Sequence, residues 1–154
     1  MATLYSNQKT KWSVNVPSEK IKPTELAGRV RIAFADVTLA SAASADVVQM
    51  FNLPNGARIL DGYLTNAALG ASTTISVGNA AYKNSAGTTV ALSAAAYLAA
   101  TSTSSAARTD ILATIALGAG SVIDADQDGI LISMTIGGGT ASGVVQLAIR
   151  YVVD

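Results

Sequence analysis

The 154-residue chain contains no cysteine and no histidine. Without cysteine it cannot form a disulfide or a thiolate metal site, and without histidine no imidazole can act as an acid, a base or a metal ligand. The Ser-His-Asp arrangement of hydrolases is therefore excluded. A carboxylate pair such as Asp36 and Asp61 could perform acid/base chemistry, but nothing in the sequence brings the two together. We expect no catalytic residue, no cofactor and no enzymatic activity.

Charge is scarce as well, since 13% of the residues are charged and the formal net charge is zero. Electrostatics over the whole chain therefore favour neither nucleic acid nor an anionic membrane as a partner. The charge is unevenly placed. Residues 1–31 hold six basic and two acidic side chains, or +4, whereas residues 32–154 hold four basic and eight acidic ones, or −4. A basic segment beside an acidic body favours docking on an acidic surface, neighbouring copies included.

Long apolar runs are also missing. The N-terminus lacks the apolar stretch of a signal peptide, and no segment of about 20 strongly apolar residues exists. The uncharged segment 84–107 is rich in serine, threonine and alanine and is too polar to span a bilayer. We expect a chain that is made and used without membrane export and has no membrane partner.

What the sequence does contain is a series of short β-like stretches. Val30, Ile32 and Phe34 alternate with Arg29, Arg31 and two alanines, which predicts a half-buried strand. Residues 47–53 and 59–64 flank Leu53-Pro54-Asn55-Gly56 and predict a hairpin closed by a type I turn. Residues 130–136 and 145–151 flank three glycines and predict a second hairpin.

The fold class follows from the spacing of these stretches. Roughly seven or eight short strands with Gly-rich turns predict an all-β protein, a β-sandwich or jelly roll. Ser93 followed by alanines predicts one short helix over residues 93–100, and alternation over residues 110–117 predicts a further strand. We interpret residues 28–154 as the sandwich domain and residues 1–27, which are polar and carry two prolines, as an extended basic arm.

The arm holds the candidate contact residues, which are Lys9, Lys11, Trp12, Lys20 and Lys22. Tryptophan beside lysine has the amphipathic character of an interface anchor. The alternatives stay open: Trp12 could plug the edge of its own domain, and the arm could be a solvated terminus. The arm offers only Tyr5 and Trp12 as stacking platforms for nucleic acid, so an acidic protein surface is the better partner.

One acidic segment has the pattern of half a calcium loop. Asp124, Asp126 and Asp128 alternate and are followed by Gly129. The full loop needs a glutamate at its twelfth position, where Thr135 stands, and a helix afterwards, where a strand is predicted. We interpret the segment as an acidic turn that opens the next strand and keep calcium as a weak alternative.

Several segments resemble a known family in their order along the chain. They are ADVVQMFNLPNGARILDGYL, STTISVGNA, the Ala-rich segment with Tyr97-Leu98-Ala99-Ala100, and VIDADQDGILISMTIGGGTASGVVQLAIRYVV. Together, over residues 28–153, they resemble the capsid decoration or cement proteins of tailed bacteriophages. The opening Met-Ala-Thr-Leu-Tyr is similar to the start of phage structural proteins as well.

The resemblance implies a small β-sandwich or jelly-roll protein, often a homotrimer, on the outer surface of the virion. Such a protein binds the major capsid protein, stabilises the shell against the packaged genome and is assembled in the host cytoplasm. Two alternatives stay open from the residues. One is a head-fibre or receptor-binding module that recognises glycans, against which the low aromatic content of 5% counts. The other is a tail-tube or connector subunit.

Overall fold

The computed structural model of the chain describes residues 6–12, 22 and 28–153, without the side chain of Trp12. The elements in chain order are α1 (Asn7–Trp12), β1 (Val30–Ala42), β2 (Val47–Leu53), β3 (Arg58–Asn66), β4 (Thr73–Asn79), β5 (Tyr82–Lys83), β6 (Thr89–Val90), β7 (Ser93–Ser102), β8 (Ala107–Ile111), the 3₁₀ segment Ile115–Leu117, β9 (Ile130–Gly138) and β10 (Ala141–Val152).

The strands form two four-stranded antiparallel sheets and one small ribbon. Sheet A has the order β1-β10-β3-β8, sheet B has the order β2-β9-β4-β7, and β5 pairs with β6. Successive long strands mostly alternate between the two sheets, which is the arrangement of an eight-stranded jelly roll. The predicted all-β sandwich is confirmed.

The core lies between the two sheets and is aliphatic. Its largest fully buried side chains come from both layers, for example Leu64 and Leu147 from sheet A and Ile75 and Met134 from sheet B. Strands β9 and β10 lie in the interior of their sheets, each paired on both sides, and they carry many of these side chains. Residues 130–152, which form β9 and β10, therefore hold both layers together, because each sheet is built around one of these two strands.

Both predicted hairpins are wrong. Strand β2 pairs with β9 in sheet B, whereas β3 pairs with β10 and β8 in sheet A. The turn between β2 and β3, closed by a hydrogen bond from the N–H of Ala57 to the carbonyl of Pro54, carries the chain across the sandwich. Strands β9 and β10 are divided between the sheets in the same way. The physical reason is burial, since Leu53 and Ile59 meet in one core from opposite layers.

The predicted helix over residues 93–100 is wrong as well. This segment is strand β7, which pairs with β4 through Thr101, Leu98 and Ser93. Tyr97 and Leu98 are buried in the core. Burial of these two side chains and pairing with β4 outweigh the helix propensity of the alanines. The short helix lies instead at α1, and no helix in the described part of the chain is long and apolar enough to cross a membrane.

The predicted strand over residues 110–117 ends early. Strand β8 stops at Ile111, and Leu112 has a positive φ of 59°. A 3₁₀ turn follows, in which the side-chain oxygen of Thr114 accepts a hydrogen bond from the N–H of Leu117. The turn holds Ile115 outward with 89% of its surface exposed. The alternating apolar residues therefore extend into a loop instead of a core strand.

Strand β1 forms where it was predicted, but its faces are the reverse of the expected ones. Ala33 and Val37 pack against the core, and Leu39 is buried. Val30, Ile32 and Phe34 lie on the outer side of sheet A and are 57%, 64% and 53% exposed. The larger apolar set of this strand thus remains outside the core, because a strand with a period of two can bury only one of its alternating sets.

Two glycines with similar backbone angles allow a direct test of close packing. Gly87 (φ +77°) lies in the turn between β5 and β6 with open space around it, whereas a Cβ on Gly129 (φ +73°) would overlap the carbonyl oxygen of Leu53. Gly87→Ala should lower the free energy of unfolding by about 1–2 kcal/mol through the left-handed φ alone. Gly129→Ala should lower the free energy of unfolding by about 1–3 kcal/mol more than Gly87→Ala does, because its Cβ would overlap the carbonyl oxygen of Leu53. Urea unfolding of both variants checks this, and equal losses would contradict the packing.

Burial of the Tyr97 phenol, with a smaller contribution from Tyr82, raises the pKa of Tyr97 to about 12 from 10.0. The unfolded chain then releases this proton at a lower pH than the folded chain. Stability should be intact below pH 10 and fall by about 3 kcal/mol as the pH rises to about 12. Urea unfolding at pH 9 and at increasing alkaline pH measures this loss. Tyr97→Phe should remove most of the loss, and an identical decline in both proteins would refute the assignment.

Candidate interaction surface

The described part of the basic arm is a short helix with two of the candidate lysines in its last turn. Lys9 is exposed and Lys11 is half-buried. Ser6 begins the helix, since its hydroxyl oxygen accepts a hydrogen bond of 3.2 Å from the N–H of Lys9. Lysines near a helix C-terminus suit the helix dipole. Lys22 is exposed. Lys20 and the side chain of Trp12 lie outside the described residues, so the arm contacts stay a prediction.

The acidic segment is a turn that opens β9, as interpreted from the sequence. A side-chain oxygen of Asp126 accepts a hydrogen bond of 3.1 Å from the N–H of Asp128, and strand β9 begins at Ile130. Asp124 lies at the surface, where hydrogen bonds from Ser85 lower the pKa of its carboxyl group. Within the described residues no group of three or more acidic side chains has the geometry of a metal site.

The outer face of sheet A is the most distinctive surface of the molecule. Residues paired across antiparallel strands present their side chains on the same side of a sheet, so the registers define rows across this face. One row runs from Ile32 through Arg150 to Asp61, and the next runs from Phe34 through Ala148 and Tyr63 to Asp110. We call this surface the outer face.

Exposed apolar side chains concentrate on the outer face. Of the nine large apolar side chains that are exposed among the described residues, six lie there: Val30, Ile32, Phe34, Leu60, Val122 and Val144. Three of these, Val30, Ile32 and Phe34, follow one another along the outer side of β1, and we call them the β1 stripe. Contiguous exposed apolar surface of this kind marks an interaction site on a protein.

The remainder of the outer face is polar and internally paired. The guanidinium of Arg150 donates two hydrogen bonds, of 2.5 and 2.6 Å, to the carboxylate of Asp61. This pair raises the pKa of the Arg150 guanidinium. The guanidinium of Arg108 stacks on the ring of Tyr63 at 3.8 Å from its centre. Because Asp61 is held by Arg150 and Asp36 lies two rows away, the two carboxylates do not form an acid/base pair.

A shallow cleft of about 360 Å³ lies at the β8 side of the outer face. Its charged lining consists of two guanidinium groups, Arg108 and Arg150, and two carboxylates, Asp61 and Asp110, so its charges balance. The rest is lined by backbone and small or aliphatic side chains such as Gly62 and Ala113. The cleft holds no nucleophile with an adjacent base and offers hydrogen-bonding groups only.

The outer face of sheet B differs in character. Its central side chains are small and uncharged, with Ser76 opposite Thr135 and Gly78 opposite Ser133. Ser76 and Ser133 are nearly inaccessible to solvent. The two outer surfaces of the sandwich are thus chemically unequal, and the apolar and charged side chains gather on sheet A.

The sequence interpretation missed the β1 stripe because it assigned the larger apolar set of β1 to the core. A signal for the reverse orientation was present, since Ala33, Val37 and Leu39 form a second apolar alternation in the same strand. Continuity with Leu39, which is buried, identifies the inward set. The outer residues then follow from the period of two.

Comparison with solved structures finds the same fold in three phage capsids. A chain in the capsid of Ralstonia phage GP4 matches with a TM-score of 0.64, 19% identity, and coverage of 82% of this chain and 86% of that chain. A chain in the cyanophage Pam1 capsid matches with a TM-score of 0.58, 19% identity and the same coverage. A chain in the acid-stable capsid of Helicobacter pylori bacteriophage KHP30 has a TM-score of 0.50, 17% identity, and coverage of 80% and 87%.

No protein-family model and no curated protein sequence matches the chain. At identities below 20% the structural matches establish the fold. Because similar shares of both chains are covered, the matched capsid chains are about as long as this one. The likeness therefore extends over most of each chain and is not confined to one domain of a much larger protein.

Calcium provides a test of the acidic segment. Within the described residues Asp124, Asp126 and Asp128 do not form a group that could hold a metal ion. Millimolar calcium should leave the melting temperature unchanged. A rise that a chelator reverses and that Asp126→Asn abolishes would contradict this geometry and establish a calcium site.

Proposed function

We propose that the chain is a virion structural protein of a tailed phage, specifically a capsid decoration or cement protein that works as a homotrimer. In this role it binds the outer surface of the major capsid protein shell after synthesis in the host cytoplasm. The observation that carries the proposal is the jelly-roll match, over 80–82% of this chain, to similarly short chains in three phage capsids. The order of the segments that resemble decoration proteins supports it independently.

The physical chemistry of the described residues fits a binding role without a chemical step. A protein that binds the assembled shell but not its free subunits stabilises the assembly by mass action. Many copies on a symmetric lattice multiply a modest contact into strong reinforcement. Low overall charge and an exposed apolar surface suit such contacts, because few ions must be desolvated when they form.

We infer that the basic arm makes the contact with the shell. Lys9 and Lys22 are exposed, and residues 1–31, which comprise the arm and the start of the sandwich, carry a charge of +4 against −4 on the remainder of the chain. This separation suits an arm that reaches an acidic surface on the neighbouring protein. The proposed contacts are Lys9, Lys11, Trp12, Lys20 and Lys22.

Deleting residues 1–24 should leave the sandwich folded and abolish binding to the shell, because β1 and every core side chain among the described residues lie C-terminal to the deletion. The measurement is co-sedimentation with shells of the encoding phage that lack this protein. Circular dichroism and the melting temperature report folding. Full binding by the truncated chain would overturn the assignment of the contact to the arm.

Point mutations separate the effect of the arm's charge on binding from the effect of its length. Replacing Lys9, Lys11, Lys20 and Lys22 by serine should weaken binding by about tenfold or more, since each exposed ion pair contributes about 0.2–1 kcal/mol. The loss should shrink at high salt, where the wild-type contact is itself screened. Lys83→Ser, which removes one exposed lysine of the sandwich, is the matched control and should bind as the wild type does.

A further inference from the structure

The β1 stripe leaves unusually large apolar side chains in water. Val30, Ile32 and Phe34 are each more than half exposed, and none belongs to the core cluster. Val152 and Ala148 pair with Val30 and Phe34 across the sheet and lie on the same outer side. Both are buried, yet neither belongs to the core cluster between the sheets. The stripe is thus the exposed part of a second, smaller group of apolar side chains on the outer side of sheet A. Covering it would remove further apolar surface from water.

The strand that carries the stripe is also an open edge. Within the described residues β1 pairs only with β10, and its register is continuous from Val30 to Leu39, ten residues without a bulge. A long, regular, apolar edge strand is a template for association, and proteins normally shorten, bend or charge such edges. Here the outward residues of β1 before Asp36 carry no charge, and the charge of this half of the strand, Arg31, lies on the opposite side and is exposed. The edge is therefore suited to being covered in an assembly.

The size and charge of the outer face fit a second copy of this chain. Strands β1 and β10 share a ten-residue register, β3 has nine residues and β8 has five; at about 3.3 Å per residue and about 4.8 Å between strands, the projected area is about 500 Å². Two such faces together bury about 1,000 Å², the lower bound expected of a specific interface. The charged side chains on the β8 side of this face, Arg150, Asp61, Arg108 and Asp110, balance in sign, so a second copy adds no excess of one charge. Apolar content of this kind is typical of interfaces between identical chains.

We propose that the β1 stripe is the self-association surface of the chain, where it packs against the same stripe of a neighbouring copy close to a symmetry axis. Ile32, the central and most exposed residue of the stripe, then lies nearest the axis and meets its own equivalent. The interface supplies the contact between identical chains that the homotrimer of the proposed function requires. It is tested in the free protein, so its failure is distinguishable from a failure to bind the shell.

Ile32→Glu tests the interface by placing a carboxylate in the stripe. The variant should fold, because residue 32 is 64% exposed and Arg150 lies opposite it. Light scattering should give a mass of three chains for the wild type and of one chain for Ile32→Glu. Leu92→Glu is the matched control, since Leu92 is 55% exposed but lies away from the outer face, and it should keep the wild-type mass. A wild-type mass of one chain, or an unchanged mass for a folded Ile32→Glu, would overturn the proposal.

Cross-linking gives a second measurement that does not depend on a destabilising change. Because the chain has no cysteine, a single substitution introduces one unique thiol. A disulfide needs Cβ atoms about 3.5–4.5 Å apart, a separation that two equivalent residues reach only when they lie next to a symmetry axis. Mild oxidation should therefore join Ile32→Cys chains into covalent dimers while Leu92→Cys remains monomeric on a denaturing gel. Equal cross-linking of the two variants, or none for Ile32→Cys, would contradict the placement of Ile32 near the axis.

Discussion

The structure depends on one constraint, which is that the apolar faces of two four-stranded sheets must cover each other. Strands β9 and β10 satisfy it together, because consecutive segments of the chain occupy the interior of opposite sheets and bury Met134 and Leu147 in one core. Every other long strand then pairs, directly or through one neighbour, with one of these two. The chain therefore crosses the sandwich between most of its successive long strands, and the turn after Leu53 joins two layers for this reason. The outer faces of sheet A and sheet B, which differ in chemical character, result from the same arrangement of strands.

The sequence allowed the fold class to be predicted but not the pairing of its strands. Alternation identifies the segment that contains Ile130, Ile132 and Met134 as a strand with one buried face, and the observed jelly roll confirms the predicted all-β class. Pairing could not be predicted in the same way, because two consecutive apolar strands joined by a tight turn are compatible with a hairpin in one sheet and with a connection between the two sheets. The choice depends on which other strands fill the neighbouring positions. The alanines before Tyr97 show the same limit, since local propensity favoured a helix and pairing with β4 determined a strand.

The candidate sites divide along similar lines. The acidic turn at Asp126 follows from local chemistry, so the sequence interpretation agrees with the geometry. The sequence interpretation missed the β1 stripe, because two apolar alternations, one through Ile32 and one through Val37, compete for the core, and the tertiary structure selects the one through Val37. The selection leaves Ile32 and Phe34 outside the core, and such exposed apolar surface suits the assembly role that we propose.

The most direct test of the central claim is the copy number of this chain in purified particles of the phage that encodes it, measured by quantitative mass spectrometry. A protein that reinforces a capsid lattice must be present throughout the lattice. The account predicts a copy number comparable to that of the major capsid protein. A handful of copies would place the chain at the tail or in fibres, and absence from the particles would contradict a structural role in the virion.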